Sequence, residues 1–185
     1  LHPHPATPDP LWSRGLGDVY KRQVNNPGVY EVEFGTTTFR DLIMGEKYGN
    51  GIRNGNEIKA FIPGGASAPW FFEEHLDLPL EKTAVDQAGS MLGSGAIVVM
   101  DNPTDIVRAC HNVVRFFARE SCGKCAPCRE GTSWLEKILQ RIIDGNGRRQ
   151  DIELLYKLKL MPFRLRFQEY LILLLGVGFN YWMVL

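Results

Sequence analysis

Apolar and polar positions alternate at several places in the first half of the chain. Tyr30, Val32 and Phe34 are separated by glutamates, which is the period of a half-buried β-strand. Two mainly apolar segments, at residues 58–62 and 96–100, follow turn-forming or glycine-rich stretches. The pattern therefore predicts three strands within the first hundred residues.

A short helix is predicted between the first two strands. The threonines at residues 36–38 offer an N-cap, and Phe39, Leu42 and Ile43 follow at helical spacing. Strands bracketing one short helix are typical of a small α+β module, here with a mixed sheet.

From residue 101 onwards the apolar period becomes helical. Asn102 is a suitable N-cap, Pro103 suits the first helical position, and the helix is expected to end near Arg119. Its apolar residues fall on one stripe: Ile106, Cys110, Val113, Val114 and Phe117. Because free cysteine behaves as a small hydrophobe, we expect Cys110 to pack in the core.

Two more helices are predicted after this one. Apolar pairs recur every four residues over residues 134–143, and Gly145 stands where a C′ glycine belongs. Another helix is expected to begin at Glu153. Antiparallel helices joined by a cysteine-bearing loop are the simplest arrangement.

The two ends of the chain differ from the rest. Residues 1–23 have no sustained period, and we assign them as a leader that is disordered or non-native. Residues 157–170 are basic and aromatic, and residues 171–185 are almost wholly apolar. Because a membrane helix needs about 20 apolar residues, we expect no membrane insertion from this tail. A change of reading frame near Tyr156 would account for it.

Composition excludes several functions. The 185 residues carry 21 basic and 21 acidic side chains, so a basic nucleic-acid-binding surface is not expected. The glycine clusters lack the third glycine of a dinucleotide fingerprint, and no P-loop lysine motif is present. We therefore expect this chain to bind neither FMN nor NADH by itself. Clustered cysteines without a signal segment favour a reducing, cytosolic compartment.

Three of the four cysteines form the most informative motif. Cys122, Cys125 and Cys128 have C-x2-C-x2-C spacing, which lets three thiolates converge on one iron–sulfur cluster. Gly123 allows the backbone to approach closely, and Pro127 suits the first turn of the next helix. The N-terminus of that helix would favour an anionic cluster, and Lys124 and Arg129 would offset its charge.

Other assignments remain open at this point. The three cysteines and a histidine would form a Cys3His zinc site, although structural zinc sites more often use two separated pairs. A bacterial ferredoxin would have a fourth cysteine where Thr132 stands. Unliganded structural cysteines are the third alternative.

Residues 120–132 resemble the iron–sulfur signature of the flavoprotein (NADH-binding) subunit of NADH:quinone oxidoreductase, respiratory complex I. Diaphorase subunits of NAD-linked hydrogenases and formate dehydrogenases share this signature. Residues 26–32 and 51–65 are similar to the family's soluble-ligand-binding β-grasp segment. The resemblance extends from about Val24 to Leu155.

The resemblance implies a fold and a domain order. Residues 24–100 would form a ubiquitin-like β-grasp domain, and residues 101–156 an incomplete helical-bundle domain binding a [4Fe-4S] cluster, before the unmatched tail at 157–185. The family's first three cluster ligands correspond to Cys122, Cys125 and Cys128. Its fourth is a later cysteine, and none follows Cys128 here.

The resemblance also implies a function. The parent subunit transfers hydride from NADH to FMN, and its cluster accepts electrons from the reduced flavin. The family's NADH- and FMN-binding domain is not represented in this sequence, so the fragment alone would be inactive and contains no catalytic residue. The implied partners are other subunits of the peripheral arm, at the inner face of the membrane. A stand-alone electron carrier and a zinc-binding interaction module are the alternatives.

Overall fold

The computed structural model describes residues 23–160, with side chains described for residues 23–155. The chain divides into two compact units between Thr104 and Asp105. Of the predicted leader (residues 1–23) and the predicted tail (residues 157–185), residues 1–22 and 161–185 lie outside the described residues. Within the described part the fold class is α+β, as predicted.

The described residues of the first unit contain two short helices and two strands. In chain order they are α1 (Phe39–Met44), β1 (Ile58–Ile62), α2 (Lys82–Gln87) and β2 (Val98–Asp101). Single 3-10 turns at Arg53–Gly55 and Glu73–His75 lie between them. The prediction of β1 is confirmed, and β2 begins two residues later than predicted.

Strands β1 and β2 pair antiparallel, with Phe61 opposite Val99. The register shifts between Ile58 and Ala60, so a bulge lies at this end of the pair. At the bulge, the Lys59 Nζ donates to the carbonyl of Thr104 at 2.8 Å. The prediction of a mixed sheet is wrong for the described residues, because their two strands form one antiparallel pair.

Three phenylalanines form the centre of the first core. Phe39 on α1 and Phe61 on β1 have ring centroids 5.1 Å apart, and Phe71 lies 5.7 Å from Phe61. All three are almost fully buried. Helix α1 begins beside this core. Thr38 caps the helix, since its hydroxyl accepts from the Asp41 N–H at 3.1 Å. The predicted threonine cap is confirmed.

The strand predicted at residues 30–34 is wrong, because the structure assigns no strand to these residues. Tyr30 and Val32 are half-buried, whereas Phe34 is 70% exposed. The Tyr30 hydroxyl donates to the carbonyl of Tyr48 at 3.1 Å, and the backbone turns where the Thr37 N–H donates to the Glu33 carbonyl. The alternation therefore does not correspond to strand pairing, and only Tyr30 and Val32 of its apolar positions are partly buried.

Two glycines allow a close backbone approach beside β1. A Cβ at Gly64 would lie 2.3 Å from the Met91 carbonyl oxygen, and one at Gly93 would lie 2.2 Å from the Gly64 oxygen. Gly93 also has φ +46°, which side chains disfavour. Only glycine fits this crossing of the two segments.

The second unit consists of three helices among the described residues: α3 (Ile106–Glu120), α4 (Ala126–Ile143) and α5 (Arg149–Leu160). Helix α3 packs against α4, and α4 contacts α5. The predicted N-cap at Asn102 is wrong, because Asp105 caps α3 by accepting from the N–H groups of Val107 and Arg108. No helix within residues 23–160 is both long and apolar enough to cross a bilayer.

The end of α4 and the start of α5 are joined by a buried carboxylate. The predicted C′ residue Gly145 has φ +75°, which confirms the helix end. Helix α5 starts at Arg149, before the predicted Glu153, because Asp151 accepts from the Arg148 N–H at 2.8 Å. The Asp151 carboxylate also accepts from Arg141 Nε at 3.0 Å.

We predict that Gly64→Ala destabilises the first unit by about 1–3 kcal/mol or more, because backbone atoms must move to admit the new Cβ. Chemical denaturation of the full chain measures this loss. Gly131→Ala is the matched control. Its Cβ would meet nothing within 4 Å, and the helical position favours alanine by about 0.5–1 kcal/mol. Equal stability of the Gly64→Ala and wild-type chains would contradict the close approach.

We predict that Asp151→Asn lowers stability at neutral pH, since the substitution breaks a buried ion pair. The hydrogen bond from Arg141 holds the pKa of Asp151 below its usual value. Stability from this depressed pKa is present above about pH 4, the pKa of an unfolded aspartate, and is lost as pH falls below it. The difference in melting temperature between variant and wild type should therefore shrink in acid.

Asp86→Asn is the control for this prediction. Asp86 pairs with Lys82 at 2.9 Å on an exposed surface, where ion pairs add little. A melting-temperature difference for Asp151→Asn that stayed constant between pH 7 and acid, or that matched Asp86→Asn, would refute the role of the buried pair.

Candidate metal centre

The three clustered cysteines lie where α3 ends and α4 begins. Cys122 and Cys125 belong to the connecting loop at residues 121–125, and Cys128 lies in the first turn of α4. Cys125 is the N-cap of α4, with extended backbone angles, and Pro127 occupies its first turn. The sequence favours a helix start here because proline fits the first turn, where its missing N–H is not needed.

The loop turns at Gly123 and is tied to α4. Gly123 has φ +73°, a conformation that glycine adopts without strain. Arg129 Nη1 donates to the Gly123 carbonyl oxygen at 2.7 Å, and its Nε donates to Glu130. The guanidinium thus holds the turn against the first turns of the helix.

The thiols of the loop differ in their exposure. Cys122 and Cys125 are exposed, while Cys128 is half-buried. The Ser121 Oγ lies 3.5 Å from Cys128 Sγ and accepts from the Gly123 N–H at 3.3 Å. Two thiols are therefore open to solvent, and the third lies against a hydroxyl.

Electrostatics at this helix start favour an anion. The first N–H groups of a helix have no intrahelical partner, and the helix dipole adds positive potential there. Lys124 and Arg129 are the basic residues of this stretch, and Arg129 is paired with Glu130 at 2.9 Å. The free N–H groups of the first turn of α4 suit an anionic group.

The sequence predicts that three sulfurs surround a common point. The structure does not bear this out: among the described residues, no three His, Cys, Asp or Glu side chains converge closely enough to hold a metal ion. The physical reason is that thiol groups do not attract one another, so only a shared metal centre would draw the sulfurs together. The loop brings Cys122, Cys125 and Cys128 to one end of α4.

Cys110 belongs to the core, as predicted. It lies on the buried face of α3 with 5% of its surface exposed. Burial raises the pKa of its thiol to about 12, so it remains protonated at neutral pH and is unsuited to bind metal. The neighbouring His111 is also buried on α3, and desolvation lowers its pKa.

The cysteine side chains are of the chemical type that binds an iron–sulfur cluster, but they supply fewer ligands than the usual four. Cysteine thiolates are the usual ligands of iron–sulfur clusters, and a [4Fe-4S] cluster takes four. The loop and first turn offer three: Cys122, Cys125 and Cys128. Cys110, the other cysteine of the chain, is buried in the helix core.

Sequence reasoning missed two contacts that shape this centre. It assigned Arg129 only a charge, whereas Arg129 also ties down the loop at Gly123. It gave Ser121 no role, although a serine two residues before a glycine is a recognisable signal for a side-chain-to-backbone turn. These contacts depend on how the loop folds back on α4, which residue spacing does not determine.

Comparisons with known proteins agree with the resemblance in the sequence. Residues 108–161 match the NADH-ubiquinone oxidoreductase-F iron-sulfur binding region. The chain is 43% identical over 139 residues to the F component of NADH-quinone oxidoreductase from Escherichia coli (strain K12), covering 75% of this chain and 31% of that protein. It is 46% identical over 130 residues to the F component from Mycobacterium tuberculosis (strain ATCC 25618 / H37Rv), covering 70% of this chain and 28% of that one.

Solved structures give a consistent result. The crystal structure of an NAD+-reducing [NiFe]-hydrogenase in the H2-reduced state matches with a TM-score of 0.63 and 28% sequence identity, covering 80% of this chain and 25% of that chain. The chain thus spans only about a third, or less, of the proteins that it matches. The chain is therefore similar to part of the F component of NADH-quinone oxidoreductase, and its residues 108–161 match the iron–sulfur binding region of that family.

Proposed function

We propose that this chain is the cluster-bearing, electron-transferring part of an NADH:quinone oxidoreductase flavoprotein subunit. Cys122, Cys125 and Cys128 would ligate a [4Fe-4S] cluster. The observation that carries the proposal is their placement in the loop and first turn that begin α4, within the matched iron–sulfur binding region. A bound cluster supplies one-electron transfer.

The chain's own residues have separate tasks in this proposal. The three cysteines would bind the group as thiolates. The first turn of α4 and the Lys124 and Arg129 side chains would stabilise its negative charge. Arg129 would also keep the Gly123 turn in place during binding, since its guanidinium already donates to that carbonyl.

The wider assignment follows from the family. NADH and FMN would bind in a part of the parent subunit that this chain does not represent, and NADH:quinone oxidoreductase activity would belong to the parent. Its partners would be the other subunits of the peripheral arm, on the cytoplasmic side at the inner face of the membrane. The chain covers only about a third of the length of these relatives, which supports placing NADH and FMN binding in another part of the parent subunit.

We further propose that residues 24–100 form the β-grasp domain of the family and residues 101–156 its helical cluster-binding domain. The antiparallel pair of β1 and β2 and the short helix α1 beside the phenylalanine core support the first assignment. The packing of α3 on α4 supports the second.

Anaerobic reconstitution of the full chain with iron, sulfide and a small thiol tests the cluster assignment. We predict bound iron and sulfide, and a paramagnetic signal after one-electron reduction, with the added thiol completing the ligand set. Cys125→Ser should lose most of the bound iron. Cys110→Ala is the control, because it removes a thiol from the core and should keep the iron at a modest stability cost of about 1 kcal/mol.

Three results would contradict this assignment. One is tight binding of zinc with no sulfide-containing cluster, which would favour a zinc-binding module. Another is equal iron content in the wild-type and Cys125→Ser chains. The third is loss of iron in a folded Cys110→Ala chain, which would make Cys110 a ligand.

Flavin binding is a separate prediction. Because the sequence contains no glycine-rich phosphate loop, isothermal titration of the full chain with FMN should show only heat of dilution. Saturable binding in the micromolar range would overturn the assignment of FMN to the rest of the parent subunit. Riboflavin, which lacks the phosphate, is the control that separates phosphate recognition from stacking of the ring.

A further inference from the structure

Two of the clustered cysteines occupy paired positions at the start of α4. Cys125 is the N-cap, with extended backbone angles, and Cys128 is the third residue of the helix. The turn between them is formed, since the Arg129 N–H donates to the Cys125 carbonyl oxygen at 2.9 Å. The two thiols therefore stand at the N-cap and N3 positions of one helical turn.

Side chains at the N-cap and N3 positions of a helix are near neighbours. An N-cap side chain extends over the first turn toward the N2 and N3 N–H groups, and an N3 side chain reaches back to the N-cap. Residues three apart on a helix have Cβ atoms about 5–6 Å apart, whereas a disulfide needs about 3.5–4.5 Å. A modest movement of the extended N-cap residue is enough to join the two sulfurs.

The two sulfurs differ in accessibility. Cys125 and its neighbours Lys124 and Ala126 are exposed, so a small molecule in solution reaches the Cys125 thiol. Cys128 is half-buried, and its Sγ lies 3.5 Å from the Ser121 Oγ, on the loop side of α4. An exposed first thiol followed by a sheltered second thiol suits two-step thiol–disulfide exchange.

We propose that Cys125 and Cys128 form a thiol–disulfide exchange pair, which is oxidised by a small-molecule disulfide such as oxidised glutathione. Their C-x-x-C spacing at a helix N-terminus is typical of redox-active thiols. Cys122 has the same spacing from Cys125, but it lies outside the helical turn, beyond the bend at Gly123 with φ +73°.

The inference does not rest on the proposed function, because exchange needs only free thiols. It concerns the same sulfurs, however. A sulfur in a disulfide is not available as a thiolate ligand, so disulfide formation and cluster binding exclude each other at Cys125 and Cys128.

Exchange takes place in two balanced steps. The Cys125 thiolate attacks one sulfur of oxidised glutathione, the glutathione S–S bond breaks, and one glutathione thiolate leaves. The Cys128 thiolate then attacks the Cys125 sulfur of this mixed disulfide, the Cys125–Cys128 bond forms, and the second glutathione leaves. The two protons of the cysteine thiols end on the two glutathione thiols, and two electrons pass from the protein to glutathione.

Tryptic mapping of the full chain tests the proposal. The chain is reduced, freed of metal by a chelator, treated with oxidised glutathione in mildly alkaline buffer, and alkylated before digestion. Trypsin releases residues 120–124 and 125–129 as separate peptides, so Cys122 is on the first and the proposed pair is on the second. We expect peptide 125–129 to lose the mass of two hydrogen atoms, which marks an internal disulfide, with no cross-link between the peptides.

Two variants and a denatured sample separate the roles of the thiols. Cys128→Ser should lose the internal disulfide and retain glutathione on Cys125, because no second thiol displaces it. Cys122→Ser is the matched control and should form the disulfide as wild type does. In urea, where α4 unfolds, the preference for Cys128 over Cys122 as the partner of Cys125 should disappear, since the two spacings are equal.

Two results in the folded wild-type chain would overturn the inference. A cross-link between peptides 120–124 and 125–129 as the main product would refute the pairing. Glutathione that stays on Cys125 without formation of the internal disulfide would refute the exchange reaction. The cluster assignment is decided separately by bound iron and sulfide, so it fails or holds independently of these results.

Discussion

The start of α4 at Cys125 is the constraint on which the metal centre depends. Two thiols lie in the loop before this point and one lies in the first turn after it, so a shifted helix start would separate them. Proline in the first turn and the positive φ of Gly123 fix where the loop ends and helix α4 begins. Arg129 joins the two parts by donating back to the Gly123 carbonyl.

Packing within the second unit separates two kinds of cysteine. Cys110 is held on the inner face of α3, and burial keeps its proton in place by raising its pKa to about 12. The loop cysteines lie beyond the end of that helix, and Cys122 and Cys125 are exposed. Farther along the chain, Asp151 on α5 accepts a hydrogen bond from Arg141 near the end of α4 and so links the two helices. The helices thus separate the buried Cys110 from the loop cysteines at one end of α4.

The elements that sequence predicted well are those set by local forces. The limits of β1 follow from an apolar run between turn residues, and the end of α4 follows from Gly145. The failures involve choices made by tertiary contacts. The alternation at residues 30–34 resembles a strand pattern, but the structure assigns no strand there and Phe34 is 70% exposed. Asn102 and Asp105 are both of residue types that are favoured at the N-cap. Only the folded chain brings Asp105 within reach of the free N–H groups of α3. The convergence of three sulfurs is not seen among the described residues, because thiols do not draw one another together without a shared metal.

The three clustered cysteines differ in their exposure to solvent, and this difference decides where the protein could influence a group bound to them. Charges around Cys122 and Cys125 act through solvent, and salt screens them within about 10 Å. Cys128 is half-buried, and its sulfur lies 3.5 Å from the Ser121 hydroxyl oxygen. Among the three clustered cysteines, Cys128 is therefore the one most enclosed by the protein.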